Sequence, residues 1–303
     1  MAEAHDTDAL AARIAQAHGT RFAGFPAQPA PAPTLDDPVY RAALRAASVL
    51  GFIATDAETI ARAWSAQTAR TGAFDAAAWP GEPVDFGLQP LPRAHAFPAC
   101  PQRLGLYAVL PSADWVGRMA RAGVPTVQLR FKSADPAAVA REVRAAVQAV
   151  RGTHALLFIN DHWQAAIDAG AYGVHLGQED LDGLPGGALD ALRAAGLRLG
   201  LSTHGYAEMQ RADAVGPSYI AMGAVFPTTL KKMPTAPQGM ARLAAYAGLL
   251  RHYPRVAIGG IDAARFQDVL ATGVGSIAVV RALVAAPDPE QAAHELLALL
   301  SCI

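Results

Sequence analysis

The chain has 303 residues, 52% of them hydrophobic and 17% charged, which is enough for one large core and a smaller appendage. Its 25 basic and 26 acidic residues nearly cancel, which argues against nucleic acid or an anionic membrane as the main partner. Cys100 and Cys302 are the only cysteines and form no closely spaced motif, so neither a disulfide framework nor a structural zinc site is expected.

The N-terminal MAEAHDTDAL lacks the basic-then-apolar pattern of a secretory signal. No apolar run approaches the ~20 residues that span a bilayer. A soluble, cytoplasmic protein is the expectation. Asp6 to His18 reads as a short amphipathic helix, followed by a Pro/Ala linker from Phe25 to Pro33 that should be extended. Asp37 to Leu50 and Ala57 to Thr71 read as two more helices, with Asp56 a candidate N-cap for the second. Ala73 to Cys100 is rich in proline and turn residues. Nothing in residues 1–100 has the spacing of a phosphate loop, metal site or catalytic set, so this part is read as a helical, Pro-rich region of unassigned role.

After Pro101 the texture changes. Apolar runs at Leu104–Leu110, Thr126–Arg130, Leu156–Asn160, Gly173–Leu176, Arg198–Ser202, Tyr219–Met222, Arg255–Ile258 and Ser276–Val280 alternate with Ala-rich helical stretches. Strict strand–helix alternation implies a parallel sheet with right-handed crossovers. Eight units in about two hundred residues fit an α/β fold of the (β/α)8 TIM-barrel type over residues 101–303. The competing reading is an open doubly wound sheet. Against it, the first turn, Leu110-Pro111-Ser112-Ala113, is not a Gly-rich nucleotide loop.

In such a barrel the site lies where the strands end. Asp161 and Asp180 each follow an apolar run, beside Asn160 and Gln178, and offer oxygen ligands to a hard divalent cation such as Mg2+. Taken alone, either aspartate reads equally well as a helix N-cap. Alternation along a strand points Gln128, Arg130 and Lys132 the same way. An Arg and a Lys aimed into a barrel mouth call for an anion, or else for an ion-pair network with the two aspartates. Gly259-Gly260 suits either a phosphate-binding turn or a turn that simply needs glycine. The long loop 223–239 reads as a binding loop or as a plain connector. His175 is expected to be a satisfied core histidine, and Trp163 and Tyr219 to be packing residues. His204 is a candidate ligand-orienting group.

QLRFK (128–132), FIND (158–161), GVHLGQEDL (173–181), LGLSTH (199–204), GAVFPTTLK (223–231), VAIGGI (256–261) and GVGSIAVV (273–280) together resemble the thiamine-phosphate synthase family, in order, over about two thirds of the chain. The resemblance implies a (β/α)8 barrel that joins a hydroxymethylpyrimidine diphosphate to a thiazole phosphate. It implies that Gln128, Arg130 and Lys132 hold the pyrimidine diphosphate with Asn160, Ser202 and Lys231. Arg130, Lys132 and Lys231 would carry the catalytic charge. Asp161 and Asp180 would be the Mg2+ ligands. Thr228, Thr229, Gly260 and Val280 would meet the thiazole phosphate, with Arg281 beside them. Two departures stand out: Leu230 occupies a position usually held by a hydroxyl residue, and Arg281 one often held by Ser. The implied partners are small molecules. A homo-oligomer is left open, as are a related thiazole tautomerase and a catalytically silent, ligand-binding paralogue.

Overall fold

Eight short runs pair side by side in chain order and close on themselves, β1 through β8, every pair parallel. They are β1 (Leu106–Leu110), β2 (Thr126–Leu129), β3 (Leu156–Asn160), β4 (Gly173–Leu176), β5 (Arg198–Thr203), β6 (Tyr219–Met222), β7 (Arg255–Ile258) and β8 (Ile277–Val279). The computed structural model describes residues 2–89, 91–228 and 235–300, with side chains from residue 7. Several strands are buried at every position, because one face fills the barrel and the other meets the helices. The pairing of β8 with β1 closes the sheet and excludes the competing open-sheet reading. The first run forms a strand only from Leu106, since the amides of Leu104 and Gly105 donate to the Ser276 hydroxyl instead of a ladder carbonyl.

Contacts divide the chain into two units: residues 1–90 with Gly205–Ala214, and Leu91–His204 with Val215–Ile303. The sequence reading places its cut at 100/101 and assigns 205–214 to the barrel.

The first unit contains α1 (Ala2–His18), α2 (Pro38–Val49), α3 (Ala54–Thr71) and a 3-10 turn at Pro83–Phe86. Asp37 caps α2 by accepting from the Val39 amide, and Pro38 fits the first helical position, where no N–H is needed. The linker from Phe25 to Pro33 has no regular structure, yet the Gln28 amide donates to the Ser48 carbonyl. Rings of His18, Phe22, Phe52, Trp64 and Trp79 form the centre of this unit. Its last member is remote in sequence: Tyr206, which opens the helix at Tyr206–Val215, stacks on Phe86 and accepts from the Trp79 indole.

Asp56 corrects an expectation. It caps nothing on α3, whose N-cap is Ile53 without a side-chain bond. Its carboxylate accepts instead from the Ala207 amide, at 2.9 Å, in the first turn of the 206–215 helix. Gly205, just ahead of that helix, has no side chain to do so, and a Cβ there would fall 2.0 Å from Asp56 Oδ2.

In the second unit the strands alternate with α4 (Ala113–Arg121), α5 (Pro136–Ala149), α6 (Trp163–Ala169), α7 (Gln178–Gly183), α8 (Ala188–Ala194), then α9 (Tyr206–Val215) of the first unit, α10 (Gly239–Leu249), α11 (Ala263–Ala271), α12 (Arg281–Val284) and α13 (Pro289–Leu300). Ser112, Asp135 and Asp262 cap α4, α5 and α11. The short helices α7 and α12 are not foreseen in the sequence. Each begins at a strand end that carries candidate site residues. No helix among the described residues is long and apolar enough to cross a membrane.

Candidate active site

The inner faces of the strands build the barrel interior from Tyr107, Val109, Phe158, Tyr219, Ala221, Val256 and Ala278. Above this packed layer, at the C-terminal strand ends, a cavity of about 610 Å³ opens. Period-two alternation decides its lining, since the residue two places beyond each inward core residue also points inward. Gln128, Arg130 and Lys132 follow one another on the β2 side, Asn160 and Asp161 at the end of β3, Gly177 to Asp180 after β4, and Ser202 to His204 at the end of β5.

The carboxylates of Asp161 and Asp180 meet in this cavity. Enclosure by the surrounding protein, and then the charge and hydrogen bond of Asp180, push the Asp161 carboxyl up to about 6, with His162 and Arg130 pulling the other way. Asp161 has φ +63°, a left-handed backbone that Asp tolerates better than most residues. The adjacent His162 ring is tied to the Phe131 carbonyl at 3.0 Å. Asp180 accepts from the Gly177 amide at 2.8 Å, so it is also a capping residue of α7. That bond leaves the carboxylate further lone pairs, which are compatible with a cation as well. Among the described residues no group of three or more His, Cys, Asp or Glu is placed to hold a metal. The chain therefore offers two carboxylates, which fits a cation completed by water and substrate phosphate oxygens, the usual condition for Mg2+.

Across the cavity, the Gly259-Gly260 turn has φ values of +105° and +67°. A Cβ at these positions would lie 2.5 Å from Ala224 Cβ and 2.7 Å from the Pro227 carbonyl oxygen. Glycine is required there by conformation and by this close packing. The amides of Val225 and Phe226 donate to Ile258 and Gly259, locking the start of the long loop onto β7. Thr228, Gly260, Val280 and Arg281 line this side of the cavity, and Arg281 is exposed toward its mouth.

Residues 106–283 match the family model for thiamine monophosphate synthase. The chain belongs to the thiamine-phosphate synthase family. It is 56% identical over 194 residues to a thiamine-phosphate synthase of Neisseria meningitidis serogroup B, covering 64% of this chain and 93% of that protein. It is 54% identical over 203 residues to the Salmonella typhimurium thiamine-phosphate synthase, covering 67% and 95%. Among solved structures, a thiamine phosphate pyrophosphorylase from Pyrococcus furiosus superposes with a TM-score of 0.58 at 30% identity, over 65% of this chain and 96% of that one. The family is one of transferases, and the match leaves residues 1–105 outside it.

Of the residues that the family resemblance singles out, Gln128, Arg130, Lys132, Asn160, Asp161, Asp180, Ser202, Thr228, Gly260, Val280 and Arg281 all line the one cavity. Thr229, Leu230 and Lys231 lie outside the described residues. Further cavity residues escape the sequence reading, among them Tyr107 and Arg265. Tyr219, expected to be packing, and His175, expected to be a core residue, also face it from below. The missing signal was alternation followed downward. Tyr107 and Tyr219 stand two residues before inward-facing Val109 and Ala221, and so share their face.

Proposed function

We propose that this enzyme condenses 4-amino-2-methyl-5-hydroxymethylpyrimidine diphosphate with 4-methyl-5-(2-phosphoethyl)thiazole, giving thiamine phosphate and diphosphate. The observation that carries the reading is the convergence on one cavity of the cations after β2, the carboxylate pair after β3 and β4, and the Gly-Gly turn after β7. Two anionic groups must be bound, and the cavity has two polar ends suited to them.

At one end Arg130 and Lys132 face the diphosphate, Arg130 as a planar fork and Lys132 as a point charge. Asn160 and Ser202 supply neutral hydrogen-bonding groups, and Lys231 of the loop adds a third cation in this scheme. Asp161 and Asp180 would hold Mg2+, which when bound neutralises diphosphate charge. The carbon–oxygen bond to the pyrimidine methylene breaks, and its electron pair leaves with the diphosphate. The preorganised cations stabilise that charge as it develops. The methylene carbon becomes cationic, and the 4-amino group of the ring delocalises that charge. The thiazole nitrogen then closes the new bond with its own lone pair. No proton is removed in this step, so no strong general base is needed. At the other end Thr228, Gly260 and Arg281 orient the thiazole phosphate.

The test is an assay with both substrates and Mg2+ that follows thiamine phosphate and diphosphate together. Equal formation of the two supports the reading. A protein that binds both ligands without turnover, or that acts on a thiazole carboxylate phosphate alone, overturns it.

A further inference from the structure

The floor of the cavity carries a continuous hydrogen-bonded row. Gln128 Nε2 lies 3.0 Å from the Tyr107 hydroxyl, and that hydroxyl lies 2.7 Å from the hydroxyl of Tyr219. Tyr219 lies 2.7 Å from His175 Nδ1, and His175 Nε2 lies 2.8 Å from Ser202 Oγ. Five residues on five strands, β2, β1, β6, β4 and β5, thus connect one wall of the cavity to another. The strands are shaped for it. A Cβ at Gly200 would fall 2.1 Å from Tyr219 Cζ, so only glycine on β5 lets that ring lie across the floor. Phe158 packs edge-on against the same ring at 5.1 Å, in space that a Cβ at Gly173 would invade.

The row has a direction. An amide nitrogen only donates, so Gln128 gives its hydrogen to Tyr107. Burial raises both phenol pKa values, so each hydroxyl keeps its proton. The Tyr107 hydroxyl has Gln128 and Tyr219 as its hydrogen-bond neighbours, and Tyr219 is the one of the two that can accept from it. Tyr219 then donates to His175 Nδ1. The opposite direction would bury the Tyr107 hydrogen without an acceptor, the costly outcome for an enclosed donor. With Nδ1 accepting, the imidazole proton sits on Nε2 and is given to Ser202 Oγ. Ser202 spends one lone pair on that bond and retains its own hydrogen.

We propose that Tyr107 and Tyr219 are positioning residues that fix His175 as the neutral Nε2–H tautomer and so present Ser202 as a hydrogen-bond donor to a diphosphate oxygen of the pyrimidine substrate. The substrate half of this rests on the function proposed above. The tautomer half does not. Its consequence is that one hydroxyl deep in the pocket is committed to an acceptor before any ligand arrives. An anion gains from that commitment, because no reorientation is needed on binding.

Nitrogen-15 NMR of the full-length, ligand-free protein, with the His175 signals assigned by a His175→Gln variant, reads the tautomer directly. The neutral Nε2–H form is expected, giving way to a mixture in Tyr219→Phe. The Nδ1–H form in the wild-type protein overturns the proposal. Calorimetric titration with inorganic diphosphate and Mg2+ tests the donor without needing turnover. Ser202→Ala should weaken diphosphate binding about tenfold, as for loss of one hydrogen bond to a charged group, and Tyr219→Phe should weaken it by a smaller factor set by the tautomer mixture. The double variant should be no weaker than Ser202→Ala, because both changes act on the same donor. Additive losses overturn the coupling. In kinetics, the same variants should raise the KM for the pyrimidine diphosphate and leave that for the thiazole phosphate within about twofold, a split that general loosening of the fold would not give. If turnover is absent while the tautomer and diphosphate results hold, the proposed function fails and the relay stands.

Discussion

The barrel cavity and the helical N-terminal unit both gather polar side chains, and use them differently: His18, Asp56, Gln67 and Asp85 are buried, whereas Asp161 is exposed and Asp180 and Ser202 are half-buried. In the helical unit each bond closes structure. His18 reaches the Ala76 carbonyl, Gln67 the Ala78 carbonyl, Asp85 a forked pair with Arg70, and Asp56 the Ala207 amide. In the barrel, Asp161, Asp180 and Ser202 also make bonds, but each keeps capacity facing a cavity. Buried polarity alone therefore does not mark a site. What marks it is polarity with lone pairs or hydrogens left over, aimed at space a ligand can enter.

The sharpest way to break this comparison is to remove one cavity carboxylate without disturbing its structural bond. In Asp180→Asn the remaining carbonyl oxygen can still accept from the Gly177 amide, so α7 keeps its cap. We expect the fold to survive and kcat/KM at limiting Mg2+ to fall on the order of 10²–10³, the scale for losing one preorganised group that balances developing charge. Unchanged turnover in steady-state assays across a Mg2+ titration would show that Asp180 is a cap and nothing more.

The two regions also differ in how much of them the sequence discloses. β3, β4, β6 and β7 fall where their apolar runs place them, because a parallel barrel strand is defined by local pattern and its end by the first polar residues. Alternation places Gln128, Arg130 and Lys132 on one face, and the strand ends supply most of the rest of the cavity lining. Asp56 is the opposite case. Read locally it heads α3, but its partner is 151 positions away. Trp79 and Phe86 likewise meet Tyr206 and Gln210 at separations of 127 and 124. Nothing in residues 1–90 announces that their missing surface is a helix inside the barrel repeat. The Tyr107–Tyr219 bond, at a separation of 112, is hidden for the same reason. Periodicity puts each ring on the inner face but does not say which rings touch.

A second test works on the other end of the cavity. Arg281, at the head of α12, lines it together with Thr228, Gly260 and Val280. Arg281→Ala should raise the KM for the thiazole phosphate roughly tenfold, near the lower limit for a charge-assisted contact because the side chain is exposed and screened. The KM for the pyrimidine diphosphate should move little. An unchanged thiazole-phosphate KM would assign Arg281 to the surface instead.

The helical unit should answer in stability, not in catalysis. Asp56→Ala removes the carboxylate that caps α9 within the first unit and leaves the Ala207 amide without that acceptor. A loss of about 1–2 kcal/mol in urea unfolding is expected, the usual value of a helix cap. KM for both substrates should stay within about twofold. A large change in either KM would mean that the two regions do not divide the work in this way.

The smallest expected effect is a dependence of stability on pH at Asp161. Asp161 is held at about 6, above the ordinary carboxylate value of 3.8. The folded protein therefore keeps this proton more tightly than the unfolded chain does. Below pH 4 both states are protonated and Asp161 is neutral with respect to stability. As pH rises from 4 toward 6, the unfolded chain ionises first, and the folded state loses stability over that window. Above 6 the full cost persists, damped by water in the open cavity. In a chelator, Asp161→Asn should therefore be slightly more stable than the parent above pH 6 and equal to it below pH 4, with Asn chosen because it tolerates the +63° backbone. Paired urea titrations at pH 4 and 7 measure the difference. Mg2+ should stabilise the parent at pH 7 and not the variant, since a bound cation removes the repulsion that raises the proton affinity. If the variant is the less stable protein at pH 7 in chelator, Asp161 is serving the fold, and its carboxylate belongs with those of the helical unit.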